Sequence, residues 1–277
     1  MTSDTLYLLV TCSMDKTRCD LACEVAKNLL TENKNHPFFS DLLIFDNASQ
    51  FDNHLEMFPS EVRVFRSDKN IGYWSAINWS IDHYQELFCR DYSYIYIIES
   101  DLIHRNMPRL DACEQFLKDN REVGGVRTQE FSVRWRIRYD KRFHWAPFAR
   151  RHSLVSQNNA ITGEHVWFRI GDEHHHIWLT NFHAKLPALN RLDAMHKIFA
   201  ELSRRKEITE LDFMYLYYDL YPTMALLDGG IYSTLSFADT SHISGSYSTS
   251  QQLAIAKYHS TRVDYIVRSG FEVVQIK

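Results

Sequence analysis

The sequence predicts a single α/β domain with a mostly parallel, Rossmann-like central sheet flanked by helices. Three apolar runs rich in β-branched and aromatic residues begin near residues 5, 41 and 92, and such runs are typical of buried strands. Stretches with apolar residues at helical spacing lie between them. Alternating strands and helices indicate βαβ units, whose strands pair in parallel through right-handed crossovers.

The elements of the N-terminal half follow from these patterns in chain order. We predict strands at 5–12, 41–46, 61–66 and 92–98, and helices at 17–33 and from 70–78 onward, with Gly72 at the start of the second helix. Residues 61–66 alternate between polar and apolar, which favours a strand near a sheet edge.

The strand at 92–98 runs directly into two carboxylates, Glu99 and Asp101, with Ser100 between them. Burying an unpaired charge costs several kcal/mol, so such a pair calls for compensation. Mg²⁺ or Mn²⁺ would provide it, since these ions favour carboxylate and phosphate oxygens, and ligands bind at the carboxyl ends of strands in open α/β sheets. The alternative is a strand that simply ends and exposes two acids to water.

Composition restricts the class of protein. The chain has 277 residues, 45% of them apolar, and a formal net charge of −4, which does not favour a general nucleic-acid binder. Five cysteines, an odd number without a Cys-x-x-Cys pair, indicate free thiols in a reducing compartment. No apolar run approaches the ~20 residues of a membrane helix, and the first residues lack a basic region, so we expect a cytoplasmic protein without a membrane span.

Several familiar nucleotide-binding and catalytic motifs are absent from the sequence. No Gly-x-Gly-x-x-Gly follows the first strand, and there is no Gly-Lys-Ser/Thr loop or nucleophilic serine elbow. These absences argue against a dinucleotide-binding dehydrogenase, a P-loop NTPase and an α/β-hydrolase.

Four segments in order resemble a GT-A glycosyltransferase, and glycosyltransferase family 2 most of all. A first strand ends Val-Thr-Cys-Ser, a second ends Phe-Asp-Asn-Ala-Ser, an Asn-Ile-Gly-x-x-x-Ala-x-Asn segment follows, and a strand ends Glu-Ser-Asp. The resemblance implies a GT-A fold and a donor that is a UDP-, GDP- or dTDP-sugar. It also implies a divalent cation, Mn²⁺ or Mg²⁺.

The resemblance assigns roles to residues of these segments. Asp46 would contact the nucleobase, and Asn70, Gly72 and Trp74 would lie along the nucleotide-sugar. Asp101 and Glu99 would bind the metal through the diphosphate, although Glu99 departs from the family's aspartate. The full set of predicted donor-binding residues is Thr11, Ser13, Asp46, Asn47, Asn70, Gly72, Trp74 and Ser100.

The resemblance continues more faintly in the C-terminal half. Acids precede a helical apolar stripe near residue 213, and the family places its general base at such a position, so Asp212, with Glu210 in reserve, is the predicted base. Helix capping is the alternative, because acids in a first turn also complement the helix dipole. His242 is the candidate third metal ligand or diphosphate contact, against a purely structural role.

Residues 127–151 carry eight basic and two acidic side chains, a local charge of +6, with six aromatic residues interleaved. Such a composition binds phosphates and stacks on bases, so the acceptor is predicted to be a glycan, a lipid-linked glycan or DNA. The alternative is a strand pair with its arginines in water. We interpret the histidine-rich stretch 171–178 as a loop or acceptor wall, and we predict an amphipathic helix over 186–206.

The predicted protein is therefore a metal-dependent, inverting glycosyltransferase that moves a sugar to an acceptor hydroxyl. Residues 1–125 would form the nucleotide-sugar-binding half of the domain, and residues 126–277 the acceptor-binding and catalytic half. Two rivals remain: a nucleotidyltransferase, which would carry a Gly-rich, Arg-containing loop after the first strand, and a nucleic-acid or polysaccharide binding module on an inactive transferase fold.

Overall fold

A computed structural model gives the architecture of the chain. It describes residues 4–32, 37–128, 165–170, 173–180, 187–204, 212–213, 216–217, 220–221, 223–227 and 230–234.

Eleven strands are present in this part of the chain. In chain order they are β1 (Thr5–Thr11), β2 (Leu42–Asp46), β3 (Arg63–Arg66), β4 (Tyr94–Glu99), β5 (Leu102–His104), β6 (Val123–Arg127), β7 (His165–Ile170), β8 (Glu173–Thr180), β9 (Ala188–Arg191), β10 (Thr223–Leu227) and β11 (Tyr232–Thr234). The helices are α1 (Lys16–Glu32), α2 (Tyr73–Phe88), α3 (Leu110–Asp119) and α4 (Leu192–Leu202), with short 3₁₀ segments at Pro37–Asp41, Leu55–Met57 and Met107–Arg109.

Nine strands form one sheet in the order β3-β2-β1-β4-β9-β6-β10-β8-β7, and β5 pairs with β11 in a small second sheet. Strands β3, β2, β1 and β4 are all parallel, whereas β9 runs antiparallel to both β4 and β6. The predicted α/β class with a mostly parallel, Rossmann-like sheet is confirmed, and β3 lies at the sheet edge as its alternating pattern indicated.

The core forms on both faces of the parallel strands because their side chains alternate with a period of two residues. On β1, Leu6, Leu8 and Val10 join a cluster with α2 and α4. Tyr7 and Leu9 join a second cluster on the opposite face, together with α1 and α3. Both faces of β1 are therefore covered by helices, which explains its uninterrupted apolar sequence.

Two sequence-based interpretations need correction. The helix predicted over 186–206 begins only at Leu192, since residues 188–191 form β9 between β4 and β6. The histidine-rich stretch 171–178, interpreted as a loop or acceptor wall, is described from residue 173 onward, and residues 173–178 lie in strand β8, which pairs antiparallel with both β7 and β10. In both places the free edge of a neighbouring strand offers backbone hydrogen bonds that cannot be predicted from local sequence patterns.

None of the helices in the described ranges is both long enough and apolar enough to cross a bilayer.

Candidate active site at the carboxyl ends of the strands

The parallel register of the first three strands places the first residues of the site. Thr11, Asp46 and Arg66 are the last residues of β1, β2 and β3, and the parallel register pairs Thr11 with Asp46 and Asp46 with Arg66. Parallel strands place their carboxyl ends at one edge of a sheet, so three polar residues from distant parts of the sequence lie side by side. We call Thr11, Asp46 and Arg66 the strand-end triad.

Asp46 is the buried centre of the strand-end triad. Its side chain has no exposed surface, and its Oδ1 accepts hydrogen bonds from the Thr11 hydroxyl at 3.1 Å and from the Ser49 backbone N–H at 3.3 Å. Its Oδ2 lies 3.2 Å from Nε of Arg66. The chain itself therefore engages both carboxylate oxygens of Asp46, the residue that the resemblance assigned to the nucleobase.

Arg66 is the exposed member of the strand-end triad, and sequence reasoning missed it. Its side chain is 49% exposed, and besides Asp46 it binds the Asp52 carboxylate and donates to the Ser49 carbonyl oxygen at 2.7 Å. The hydrogen bond from Arg66 lowers the pKa of Asp52. An arginine at the end of an edge strand, followed by a Ser-Asp turn, was the only signal in the sequence.

A buried imidazole lies close to these charges. His54 has no exposed surface, and neither of its ring nitrogens has a hydrogen-bond partner among the described residues. Burial lowers the pKa of His54 below its ordinary value, an effect that Asp46 and Asp52 oppose. Burial therefore favours the neutral form of the His54 ring beside the Arg66 guanidinium.

Two asparagines connect the end of β2 to the start of α2. Asn47 donates from Nδ2 to Oδ1 of Asn70 at 3.0 Å, and its own Oδ1 accepts the backbone N–H of Ile71 at 2.8 Å. Oδ1 of Asn70 also accepts the backbone N–H of Gly72 at 2.8 Å. Nδ2 of Asn70 lies 3.2 Å from Sγ of Cys12, whose pKa is raised by burial and by the charge of Asp46. The predicted residues Asn47, Asn70 and Gly72 are thus brought together.

Helix α2 starts at the same edge because Gly72 adopts a positive φ of 86°, which L-residues rarely adopt. The turn at Gly72 directs Tyr73, the first helical residue, toward the end of β4. The Tyr73 hydroxyl donates to Oε1 of Glu99 at 3.2 Å. Tyr73 was not among the sequence-predicted site residues, although its two neighbours Gly72 and Trp74 were.

Glu99 is the last residue of β4, and Ser100 and Asp101 form the turn that follows, all three half-buried. Val10 of β1 pairs with Glu99, so this turn lies next to the residues that follow β1. No group of three or more His, Cys, Asp or Glu side chains within the described ranges could hold a metal ion. Two carboxylates nevertheless fit a hard cation that takes its remaining ligands from phosphate oxygens and water.

The predicted base lies in a helical segment that packs against α2. Asp212 is half-buried, and its neighbour Phe213 is 1% exposed. The Phe213 ring stacks on Trp74 with centroids 5.0 Å apart and an interplanar angle of 29°. Trp74 therefore links the first turn of α2 to the segment that carries Asp212.

Three predictions fall outside the described residues: Glu210 as the reserve base, His242 as a metal ligand, and most of the basic aromatic segment, whose residues 129–151 are not described.

A second polar cluster lies behind the site. The Tyr96 hydroxyl is 2.9 Å from Oγ1 of Thr128 and 3.1 Å from Nε2 of His104, and all three side chains are buried. Burial lowers the pKa of His104 to about 3, so its ring is neutral at ordinary pH. This cluster joins β4, β5 and the residue after β6, and its role is to hold the strands together.

Comparison with known proteins yields only distant similarity. No model of a known protein family matches the sequence. No curated protein matches it either. Among solved structures, the chain is similar to TarS from S. aureus, with a TM-score of 0.46 and 10% identity over 84% of this chain and 36% of that one.

A TarS structure of residues 1–349 gives the same TM-score of 0.46 and 10% identity, over 82% of this chain and 59% of that one. A cytidylyltransferase from Leptospira borgpetersenii gives a TM-score of 0.35 and 13% identity over 47% and 57%. The chain thus spans less than two thirds of the length of these TarS structures.

Proposed function

We propose that the protein is a glycosyltransferase that moves a sugar from a nucleotide-diphosphate sugar to an acceptor hydroxyl, with the help of a divalent cation. One observation carries this proposal: the carboxyl ends of β1, β2 and β4 and the first turn of α2 meet at one edge of the sheet. The residues that we propose would contact the base, the diphosphate and the cation all lie at that edge, which is where open α/β sheets bind their ligands.

The donor would lie along this edge from the strand-end triad to Glu99. Arg66 would present guanidinium N–H groups to the nucleobase, because Asp46 is buried beneath it and Asp52 fixes it from the side. The Asn47–Asn70 pair and the N-terminus of α2 would support the ribose and the diphosphate, since helix N-termini favour negative charge.

A divalent cation would be held by Asp101 and Glu99 together with the donor diphosphate. When bound, the cation would neutralise the negative charge that develops on the leaving diphosphate. Without such a cation, the two carboxylates would repel the donor.

Asp212 would accept the proton of the acceptor hydroxyl as that oxygen attacks the anomeric carbon and the bond to the diphosphate breaks. A single displacement of this kind inverts the anomeric configuration. The Trp74–Phe213 stack would keep Asp212 close to the donor side, and the acceptor, a glycan or DNA, would approach from the side of the basic aromatic segment 127–151.

Thermal unfolding with UDP, GDP, dTDP and CDP, each with and without Mn²⁺, tests the donor site. A ligand that binds only the native state stabilises it by RT ln(1 + [L]/Kd), which is about 2.7 kcal/mol at 100-fold excess over Kd. We expect one nucleotide to raise the melting temperature in the presence of Mn²⁺ only. Asp101→Asn should abolish the shift, whereas Asp20→Asn, on the exposed face of α1, should retain it.

Asp212→Asn tests the base. This variant should keep the metal-dependent nucleotide shift and lose transfer of the sugar. Full transfer by Asp212→Asn would remove the base assignment, and absence of any metal-dependent shift in the parent protein would remove the transferase proposal as a whole.

A further inference from the structure

Tyr73, at the start of α2, contacts the carboxylate of the residue that ends β4. It is the first residue of α2, and its hydroxyl reaches across 26 positions of sequence to donate to Oε1 of Glu99 at 3.2 Å. A hydrogen bond to an ionised carboxylate is stronger than one between neutral groups. This contact joins the start of α2 to one of the two carboxylates that the proposed function assigns to the cation.

The backbone on which Tyr73 stands is fixed by the two asparagines of the site. Asn47 accepts the N–H of Ile71 at 2.8 Å, Asn70 accepts the N–H of Gly72 at 2.8 Å, and the Asn47–Asn70 amide pair itself measures 3.0 Å. These three hydrogen bonds determine the path of the chain into α2. The position of Tyr73 at the start of α2 therefore depends on Asn47, the residue directly after β2.

The Tyr73 ring is also fixed by packing. It meets Trp74 edge-on with centroids 5.4 Å apart, and Trp74 in turn stacks on buried Phe213 at 5.0 Å. An aromatic side chain has only two rotatable bonds before its hydroxyl, so little conformational entropy is lost when it is held. Tyr73 is thus a rigid donor.

A rigid hydrogen-bond donor restricts the conformations of the Glu99 side chain. A glutamate has one more methylene and one more rotatable bond than an aspartate, so fixing its side chain costs more rotamer freedom. A carboxylate has about four lone-pair sites, so one oxygen can accept from a tyrosine while the group also faces a cation.

We propose that Tyr73 is a positioning residue that orients the Glu99 carboxylate toward a divalent cation shared with the donor diphosphate. The proposal rests on the proposed function and deepens it. It accounts for a glutamate at the position where the resembled family has an aspartate: the tyrosine hydroxyl holds the longer side chain in place.

The experiment measures the affinity for the nucleoside diphosphate that stabilises the parent protein, by calorimetry with and without Mn²⁺. Tyr73→Phe removes only the hydroxyl and should weaken binding in Mn²⁺ about 10-fold, as expected for loss of a partner that orients a metal ligand. Any weak binding that remains without Mn²⁺ should not change.

Tyr92→Phe is the matched control. Tyr92 donates to the Asp41 carboxylate at 2.8 Å, the same type of bond just before β4 begins, at the opposite end of the strand. Tyr92→Phe should leave Mn²⁺-dependent binding unchanged, and the melting temperature of each variant reports whether it folds.

A double-mutant cycle that combines Tyr73→Phe with Glu99→Asp tests whether Tyr73 acts by positioning Glu99 or in another way. The shorter side chain does not reach the Tyr73 hydroxyl in the same way, so Tyr73→Phe should have no further effect in the Glu99→Asp background. Additive effects, or an equal loss of affinity with and without Mn²⁺, would overturn the inference, and so would unchanged binding by Tyr73→Phe. Each of these outcomes leaves the proposed function intact, whereas a parent protein that binds no nucleotide more tightly in Mn²⁺ overturns both.

Discussion

Arg66, at the end of β3, contacts the end of β2 and the loop that follows β2, a region that we call the corner. It lies 3.2 Å from a fully buried carboxylate, Asp46, and binds an exposed one, Asp52. The two carboxylates share the partner Arg66 but differ in burial. Comparing a variant of each therefore shows how the energetic cost of losing a buried charge differs from that of losing an exposed one. The corner therefore tests how burial changes the contribution of a carboxylate that pairs with Arg66.

We predict that Asp46→Asn lowers the free energy of unfolding by about 1–3 kcal/mol, because it weakens the ion pair with Arg66 and disturbs buried hydrogen bonds to Thr11 and Ser49. Asp52→Asn should change stability little, since its partner contact is exposed to water. Urea denaturation at pH 7 measures both variants. Equal losses would show that burial of Asp46 does not govern the corner.

Several residues of the site could be predicted from local patterns, and others could not. Asp46 and Glu99 end apolar runs, and Asn70 lies two positions before Gly72, so the pattern places them at the ends of elements. Arg66 ends a strand and Tyr73 follows Gly72, but their importance comes from partners that are 14 and 26 positions away. Only the fold brings those partners within hydrogen-bonding distance.

At the scale of elements, β9 decides how the two halves of the chain meet. This strand of four residues lies antiparallel between β4 and β6, and Asn190 accepts the hydroxyl of Tyr217 at 2.9 Å. Gly125 of β6 lies opposite Asn190, and a Cβ at that position would lie 2.7 Å from the Leu189 carbonyl oxygen. A glycine is required there because the β9 backbone approaches so closely.

We predict that Gly125→Ala lowers the free energy of unfolding by about 1–3 kcal/mol, the usual cost of forcing an extra group into a packed core. The crowding atom is a backbone oxygen of Leu189, which has no alternative rotamer to adopt. Urea denaturation measures the loss. A Gly125→Ala variant as stable as the parent would show that β6 and β9 do not pack as closely as described.

At the scale of the whole molecule, residues from both halves of the sequence alternate across one sheet. The order β4-β9-β6-β10 places β9 and β10, from the C-terminal half, on the two sides of β6 from the N-terminal half. An N-terminal fragment would leave β6 without either neighbour and would expose one edge of β4.

We predict that a fragment of residues 1–128 does not unfold cooperatively, whereas the full chain shows a cooperative transition for this sheet. The fragment lacks β9 and β10, so β6 has no strand to pair with. Circular dichroism followed through a urea titration of fragment and full chain gives the comparison. A fragment with a cooperative transition and parent-like stability would mean that the two halves fold independently.

The sequence by itself determined the α/β class, the parallel strands β1, β2 and β4, and the polar groups that end them, because periodicity of apolar residues is a local property. The tertiary structure decided the insertion of β9, the strand role of residues 173–180, and the contacts of Arg66 and Tyr73. These features depend on which strand edges and side chains the folded chain brings together. The physical reason is that pairing and hydrogen bonding between distant residues compete with local preference and, in these places, outweigh it.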